Sequence, residues 1–93
     1  MVLFDVSILV YAYREDVQHH EKARAWLEAQ IASPHPFGVS DLVLSGFLRI
    51  VTHPRIFSPP DTLEEALAFA EAVRKQPNFV IVSARERHYP KGR

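Results

Sequence analysis

The chain contains no cysteine, which excludes a disulfide framework and a metal site built from thiolates. Its 11 basic and 11 acidic residues leave no net charge, and this balance argues against nucleic-acid binding through a basic tail, although it is compatible with a local basic patch. No run approaches the roughly 20 apolar residues that span a membrane, and the first ten residues lack the pattern of a signal peptide. We therefore expect a cytoplasmic protein with no membrane association.

At 93 residues the chain has the length of one small domain, and we treat residues 1–93 as a single unit. A domain of this size buries only about 60 to 65% of the surface of its unfolded chain. Its core is therefore expected to be modest. No internal repeat or domain linker divides the sequence.

The first segment carries an acidic residue at a predicted strand-to-helix junction. Val2, Leu3 and Phe4 form a short apolar run that predicts a buried strand, and Asp5 ends it. Apolar residues then recur at helical spacing, so we expect a helix from about Ser7. Ligands gather at the carboxyl ends of parallel strands, beside helix N-termini. Two interpretations of Asp5 stay open, since it either caps the helix or belongs to a binding site.

The later apolar pattern predicts two more strands, each reached through a pair of helices. The predicted elements are a helix capped by Asp16 that runs to about Ala32, a strand over 37–39, a helix over 42–51, a helix opened by Thr62 and Glu65 that ends before Pro77, and a strand over 78–82. The order strand, two helices, strand, two helices, strand favours an α/β fold with a parallel sheet.

Two burial predictions follow from the same pattern. Trp26 lies on the apolar stripe of the second helix and is expected in the core. The third helix is apolar around most of its circumference and is expected to be largely buried. Gly46 in its interior costs about 1 kcal/mol relative to alanine, which indicates either close packing or room left for another group.

Two groups of polar side chains are candidates for binding. His19 and His20 are adjacent, so on a helix they point about 100° apart and hold one metal ion poorly; we expect a structural or solvent-exposed role. Arg49, His53 and Arg55 lie at the end of the third helix and in the proline-rich connection 52–60, where cations beside aromatic rings can contact RNA phosphates. A solvated surface explains these three residues as well.

Several stretches together resemble the PIN-domain family, in particular the VapC-like toxins of bacterial type II toxin–antitoxin pairs. The stretches are residues 3–12, 20–27 and 43–57, and residues 65–67 with 77–78. The resemblance extends to His88, and the stretch 43–57 is its most specific part. It implies a PIN-like three-layer α/β/α fold, here with three strands and four main helices.

The resemblance also implies an activity, a cofactor and partners. PIN domains are endoribonucleases that depend on Mg²⁺ or Mn²⁺, in which converging carboxylates hold the cation and the cation activates a water and stabilises charge on the scissile phosphate. By resemblance, Asp5 matches the family's first acidic metal ligand, and Ser7 matches the small polar residue that supports it. The implied partners are an RNA substrate and a VapB-like antitoxin, whose amphipathic segment docks among the first helices.

The sequence departs from the family pattern in the third helix. A glutamate usually stands where this chain has Gly46. Asp41, five residues away, faces a direction about 140° different on a helix, so it is a poor substitute for that ligand. Glu86 matches no family ligand.

Family members are also longer, and their remaining acidic residues and strands follow the position that matches the end of this chain. We therefore expect a C-terminally truncated domain. The family's fourth strand lies beside the first, so the edge of the first strand is expected to be exposed and to drive self-association. The alternative to a nuclease is a catalytically inactive PIN remnant that binds the antitoxin or a second copy of itself.

Overall fold

The computed structural model of the protein describes residues 1–83. Within that range the elements are β1 (Val2–Leu3), α1 (Val6–Tyr13), α2 (His20–Ala32), β2 (Phe37–Ser40), α3 (Asp41–Val51), α4 (Leu63–Arg74) and β3 (Phe79–Val82). The three strands form one parallel sheet in the order β1-β2-β3, so each pair of helices is the crossover between neighbouring strands. The predicted α/β fold class, with three parallel strands and four helices, is confirmed.

Three of the helices begin where side-chain oxygens accept the first amide hydrogens. Asp5 caps α1, and Ser40 caps α3 by accepting from the amide of Val43 at 3.0 Å. Thr62 and Glu65 form a capping box at the start of α4, with bonds of 3.1 and 3.4 Å. These bonds satisfy amide groups that have no partner inside the helix, and the predicted capping box is confirmed.

The second helix starts later than the sequence predicts. It begins at His20, and its N-cap residue, His19, makes no capping bond through its side chain. Asp16 does not cap it, because Arg14 holds the carboxylate of Asp16 through two nitrogen atoms. The prediction of a helix capped by Asp16 was therefore wrong.

The core lies between the helices and one face of the sheet. Phe4, Phe37 and Val39 point to this face and are buried. The ring of Phe37 lies 5.1 Å from that of Phe4 and 5.7 Å from that of Phe79, so aromatic contacts join all three strands. A second aromatic group joins α1, α3 and α4, since the ring of Phe47 lies 5.4 Å from each of its two partners, Tyr13 and Phe69.

The first strand is not buried as predicted. Val2 is 37% exposed and Leu3 is 56% exposed, whereas Phe4, which follows the strand, is buried. The reason is position, because β1 lies at the edge of the sheet and Leu3 points away from the core. A Cβ at Gly38 would lie only 2.9 Å from Cδ2 of Leu3, so the glycine gives the Leu3 side chain room to lie across the sheet.

Trp26 is also more exposed than predicted. Its ring packs 4.9 Å from that of Phe4, yet 38% of the residue is accessible. The tryptophan therefore covers Phe4 and is only partly enclosed by residues 1–83.

The third helix is only partly buried, which corrects the prediction that most of it would be covered. Phe47 and Val51 are its buried residues, and Leu42 is 65% exposed. A Cβ at Gly46 would meet Cγ2 of Val6 at 3.7 Å, an ordinary contact. Gly46 therefore does not mark close packing, and this position has room for a side chain.

The longest described helix, α2, has 13 residues, and among residues 1–83 no helix combines the length and apolar character needed to cross a bilayer. The tail from residue 84 onward, which includes Glu86, lies outside the described residues.

Candidate functional site

Asp5 lies at the carboxyl end of β1, where its two carboxylate oxygens have different partners. Oδ1 accepts a hydrogen bond from the amide of Val6 at 2.6 Å, and Oδ2 accepts from the hydroxyl of Ser7 at 3.5 Å. Asp5 thus caps α1 through Oδ1, and the amide that it accepts from is that of the first helical residue, where a cap usually takes one two or three positions on. Oδ2, with only a long bond from Ser7, is the oxygen better placed to bind a further group. Asp5 itself is exposed to solvent.

A cleft of about 270 Å³ opens beside Asp5 at this end of the sheet. It is lined by the ends of all three strands and by the first turn of α3, namely by Leu3, Phe4, Asp5, Ser40, Val43 and Val82. Asp5 is its charged residue, and the hydroxyl of Ser40 is engaged in capping α3. The walls are otherwise apolar.

The donor set of this cleft does not complete a site for a hard divalent cation. Such cations are held by several oxygen ligands, usually with more than one carboxylate, and Asp5 balances only half of the charge of a dication. Among residues 1–83, no group of three histidine, aspartate or glutamate side chains is placed to hold a metal ion. A complete site therefore needs ligands beyond those that the described residues provide.

The two positions considered for a second carboxylate do not fill this gap. Gly46 carries no side chain, although the space beside Val6 would accept one. Asp41 is exposed at the start of α3, and it is not among the residues that line the cleft. The sequence argument against Asp41, based on the helical angle, agrees with this placement.

Arg49, His53 and Arg55 are all exposed to solvent. His53 organises the start of the connection after α3, since its carbonyl accepts the amides of Ile56 and Phe57, each at 3.1 Å. Its ring Nδ1 accepts the amide of Arg55 at 3.0 Å. Because Nδ1 acts as an acceptor, the proton of the neutral ring is on Nε2, which is the nitrogen left to donate to another group.

The structure separates Arg49, His53 and Arg55 from Asp5. The cleft adjoins the first turn of α3, whereas the connection leaves its last turn. With a rise of about 1.5 Å per residue, an 11-residue helix places the two regions about 15 Å apart along its axis. A ligand that contacts both must be extended, as a single strand of nucleic acid is.

Arg14 is a residue whose role the sequence argument missed. It follows α1 as its C-cap, is 8% exposed, and reaches across to the connection after α3. Its Nη1 donates to a carboxylate oxygen of Asp61 at 2.8 Å and to the carbonyl of Pro59 at 3.2 Å. Its guanidinium carbon lies 4.1 Å from the ring centre of Phe57. The partners are more than 40 positions away, so no local pattern indicates them.

Charges around Arg14 shift the pKa values of its neighbours. Hydrogen bonds from Arg14 lower the pKa of Asp16, and the bonds to Asp16 raise the pKa of Arg14, so both groups stay ionised. The pKa of Tyr13 is raised, first by burial and then by the negative charges of Asp61 and Glu65.

An open cleft of about 530 Å³ lies beside this network and is larger than the one at Asp5. Its charged lining comprises Arg14 and four carboxylates, those of Glu15, Asp16, Asp61 and Glu65. In the described part of the chain these carboxylates do not form a metal-binding group of three. Volume alone therefore does not identify a metal site among the described residues.

His19 and His20 have structural contacts, as predicted. Nδ1 of His20 lies 2.9 Å from the carbonyl oxygen of Tyr11, and the ring of His19 lies 5.7 Å from that of Tyr11. Both contacts fasten the start of α2 to α1.

The sequence matches the family model of the PIN domain over residues 2–93. It is 41% identical over 88 residues to ribonuclease VapC25 and 40% identical over 88 residues to ribonuclease VapC31, both of Mycobacterium tuberculosis, and each alignment covers 95% of this chain and 62% of the relative. It is 36% identical over 89 residues to VapC ribonuclease Mb2897 of Mycobacterium bovis, with 96% of this chain and 60% of the relative covered. The chain thus spans less than two thirds of the length of these relatives.

Proposed function

The chain belongs to the PIN-domain family, and on that premise we propose that it acts as the ribonuclease toxin of a type II toxin–antitoxin pair. The proposed reaction is Mg²⁺- or Mn²⁺-dependent hydrolysis of RNA in the cytoplasm. The observation that carries the proposal is the position of Asp5, a carboxylate at the carboxyl end of β1 beside an open cleft. The similarity to three VapC ribonucleases supports the same activity.

In this proposal Asp5 is the catalytic acidic residue and one ligand of the cation. Its Oδ1 bond to the amide of Val6 fixes the carboxylate on the helix N-terminus, and the Ser7 hydroxyl orients the second oxygen. Because the described residues give an incomplete donor set, the further carboxylates have to come from outside residues 1–83 or from another chain.

Arg49, His53 and Arg55 are proposed to bind the phosphates of a single RNA strand that extends along α3 from the cleft. The exposure of all three side chains and their distance from Asp5 support this arrangement. Each phosphate contact to a single strand contributes about 0.7 to the slope of log affinity against log salt concentration. Arg55→Gln should therefore weaken RNA binding and lower that slope by about 0.7, with little effect on the unfolding free energy.

The test of the activity is cleavage of a fluorescently labelled single-stranded RNA by the purified chain with Mg²⁺ or Mn²⁺. Asp5→Asn is the matched variant, because asparagine retains the helix cap but not the negative charge. Cleavage that is lost in this variant and in the presence of a chelator supports the nuclease. Equal cleavage by both proteins contradicts the assignment of Asp5.

A VapB-like antitoxin is the proposed protein partner. A groove of about 200 Å³ between α2 and α4 supports this proposal, because its apolar lining fits one face of an amphipathic segment. The apolar residues of the groove are Leu27, Ile31, Phe69, Ala72 and Val73.

Self-association is proposed at the edge of β1. Val2 and Leu3 are exposed on opposite faces of this strand, and within residues 1–83 it pairs on one side only, with β2. Unpaired edges with apolar flanks favour association. Light scattering during gel filtration should report a species larger than one chain, and Leu3→Lys should shift it toward the monomer. A monomeric wild-type protein at high concentration contradicts this proposal.

A second candidate function is a non-catalytic module that binds the antitoxin or a second copy of the chain. The observation that favours it is the single carboxylate of the cleft beside Asp5. Antitoxin binding without RNA cleavage under any metal condition would select this alternative.

A further inference from the structure

We infer that Arg14 is a positioning residue for RNA binding, because it fixes the connection after α3 on which His53 and Arg55 are presented. This inference rests on the proposed function, since the value of a fixed connection depends on its binding RNA. Arg14 itself is buried and is not expected to touch the RNA. It acts through the connection.

Arg14 contacts the connection at three successive places. It packs against the ring of Phe57 at 4.1 Å, donates to the carbonyl of Pro59 at 3.2 Å and pairs with the carboxylate of Asp61 at 2.8 Å. The planar guanidinium, with several donors in a fixed arrangement, can make these contacts together, whereas the single ammonium of a lysine cannot. The Arg14 side chain thus holds residues 57–61, the second half of the segment between α3 and α4, against the end of α1.

Asp16 completes this arrangement from the other side. It accepts from Nε of Arg14 at 3.0 Å and also from Nη2. The bidentate contact fixes the plane of the guanidinium, so that Nη1 is aimed at the connection. Arg14 is therefore oriented toward the residues that follow α3 by a carboxylate of its own segment.

The contacts within the connection transmit this position to the side chains of His53 and Arg55. The amide of Phe57 donates to the carbonyl of His53, and the amide of Arg55 donates to the His53 ring. At the far end, the amide of Asp61 donates to the carbonyl of Val51 at 2.9 Å. Holding Phe57 and Asp61 consequently restrains the turn that presents His53 and Arg55.

A restrained connection has His53 and Arg55 in place before RNA arrives, so binding costs less conformational entropy. If Arg14 is replaced, both side chains remain but are no longer held in place, and the Arg55 contact with a phosphate is not maintained. RNA affinity and the number of phosphate contacts should both fall, even though no RNA-contacting residue has changed.

The experiment measures the affinity of the full chain for a fluorescein-labelled single-stranded RNA by anisotropy, in chelator, at several salt concentrations. The variants are Arg14→Met, Arg55→Gln and the double variant. Arg74→Met is the control, because it also removes an arginine that pairs with an acidic residue, Glu71, but on the exposed surface of α4.

Arg14→Met should weaken RNA binding roughly five- to tenfold and lower the salt slope by about 0.7, the value of the one phosphate contact that Arg55 makes. The double variant should be little weaker than Arg14→Met alone, because both changes act through the same cation. Arg74→Met should bind like the wild type. Wild-type affinity and slope in a folded Arg14→Met protein, or additive effects in the double variant, would overturn the inference.

A second measurement separates this inference from the proposed function. Amide hydrogen exchange in Arg14→Met should be faster over residues 53–61 and unchanged in α2. If the wild type binds no RNA, the proposed RNA contact fails, and with it the functional part of the inference. Unchanged exchange over 53–61 overturns the positioning role alone. If Arg14→Met does not fold, Phe57→Leu removes one of the three contacts and should shift affinity and exchange in the same direction by less.

Discussion

Asp5 has two roles that substitution can separate, since the carboxylate caps α1 and is also the proposed catalytic residue. The cap is a single bond, from the amide of Val6 to Oδ1 at 2.6 Å. Replacing an N-cap aspartate by alanine costs about 1 kcal/mol, with a range of roughly 0.5 to 2, whereas asparagine caps about as well as aspartate. Asp5→Ala should therefore lower the unfolding free energy by about 1 kcal/mol, and Asp5→Asn by a few tenths at most.

The size of the domain makes this difference measurable. For a domain of 60 to 100 residues, 1 kcal/mol corresponds to a shift of about 4 to 8 °C in Tm. Thermal and urea unfolding of the wild type and both variants should give Asp5→Ala the lower stability, whereas RNA cleavage should be lost in both variants. If Asp5→Asn is as unstable as Asp5→Ala, the 2.6 Å bond is not the source of the effect and the capping argument is refuted.

Three further predictions concern other parts of the fold. Gly46→Ala should raise the unfolding free energy measured in urea by about 0.5 to 1 kcal/mol, because alanine favours a helix interior and the new Cβ meets Cγ2 of Val6 at an ordinary 3.7 Å. Destabilisation would mean that position 46 has no room for a side chain. The side-chain amide nitrogen of Asn78 lies 2.9 to 3.0 Å from three backbone carbonyl oxygens near the end of α2. Asn78→Asp should therefore lower the unfolding free energy by roughly 3 kcal/mol in the same assay. Wild-type stability of this variant would show that these bonds contribute nothing. Because the pKa of Asp16 is lowered in the folded state, its ionised form stabilises the fold above the unfolded pKa of about 3.9, and this stabilisation is lost as the pH falls through the folded pKa. In Arg14→Met, Tm should therefore fall less steeply over this acidic range than in the wild type. Parallel curves of Tm against pH would contradict the pairing of Arg14 with Asp16.

The order of elements was predictable because its signals are local. The capping box of Thr62 and Glu65 and the junction at Asp5 each depend on residues within three positions. The start of α2 was mispredicted because Asp16, a good cap by type, is engaged by Arg14. Arg14 in turn takes its position from a network that includes Asp61, 47 positions away, and a local pattern contains no information about such a partner.

Burial was predicted less well than secondary structure. Apolar periodicity shows which side chains favour burial, but it does not show which neighbours are present to cover them. Residues 1–83 leave accessible the apolar surfaces of three such side chains, those of Leu3 on β1, Trp26 on α2 and Leu42 on α3. The apolar pattern of α4 is correct in part, since Ala66, Ala70 and Val73 are buried, whereas Leu63 and Leu67 of the same pattern are 55% and 40% exposed.

The candidate site was predicted in part. The position of Asp5 at a strand end and its proximity to Ser7 followed from the spacing of residues in the first segment. The separation of Asp5 from His53 and Arg55 by the length of α3 depends on the packed fold. The same is true of the cleft that the ends of β1, β2 and β3 share with α3. The Mg²⁺ or Mn²⁺ requirement stays a prediction.

The most direct test of the central claim is a calorimetric titration of the purified chain with Mn²⁺, run in parallel with Asp5→Asn. If Asp5 is a metal ligand, the wild type should give weak, saturable binding that is absent from the variant, since one carboxylate offsets only half of the charge of the cation. Stability of the variant within a few tenths of a kcal/mol of the wild type would assign the loss to the charge. Identical isotherms for both proteins, or no binding to either, would contradict the placement of the metal at Asp5.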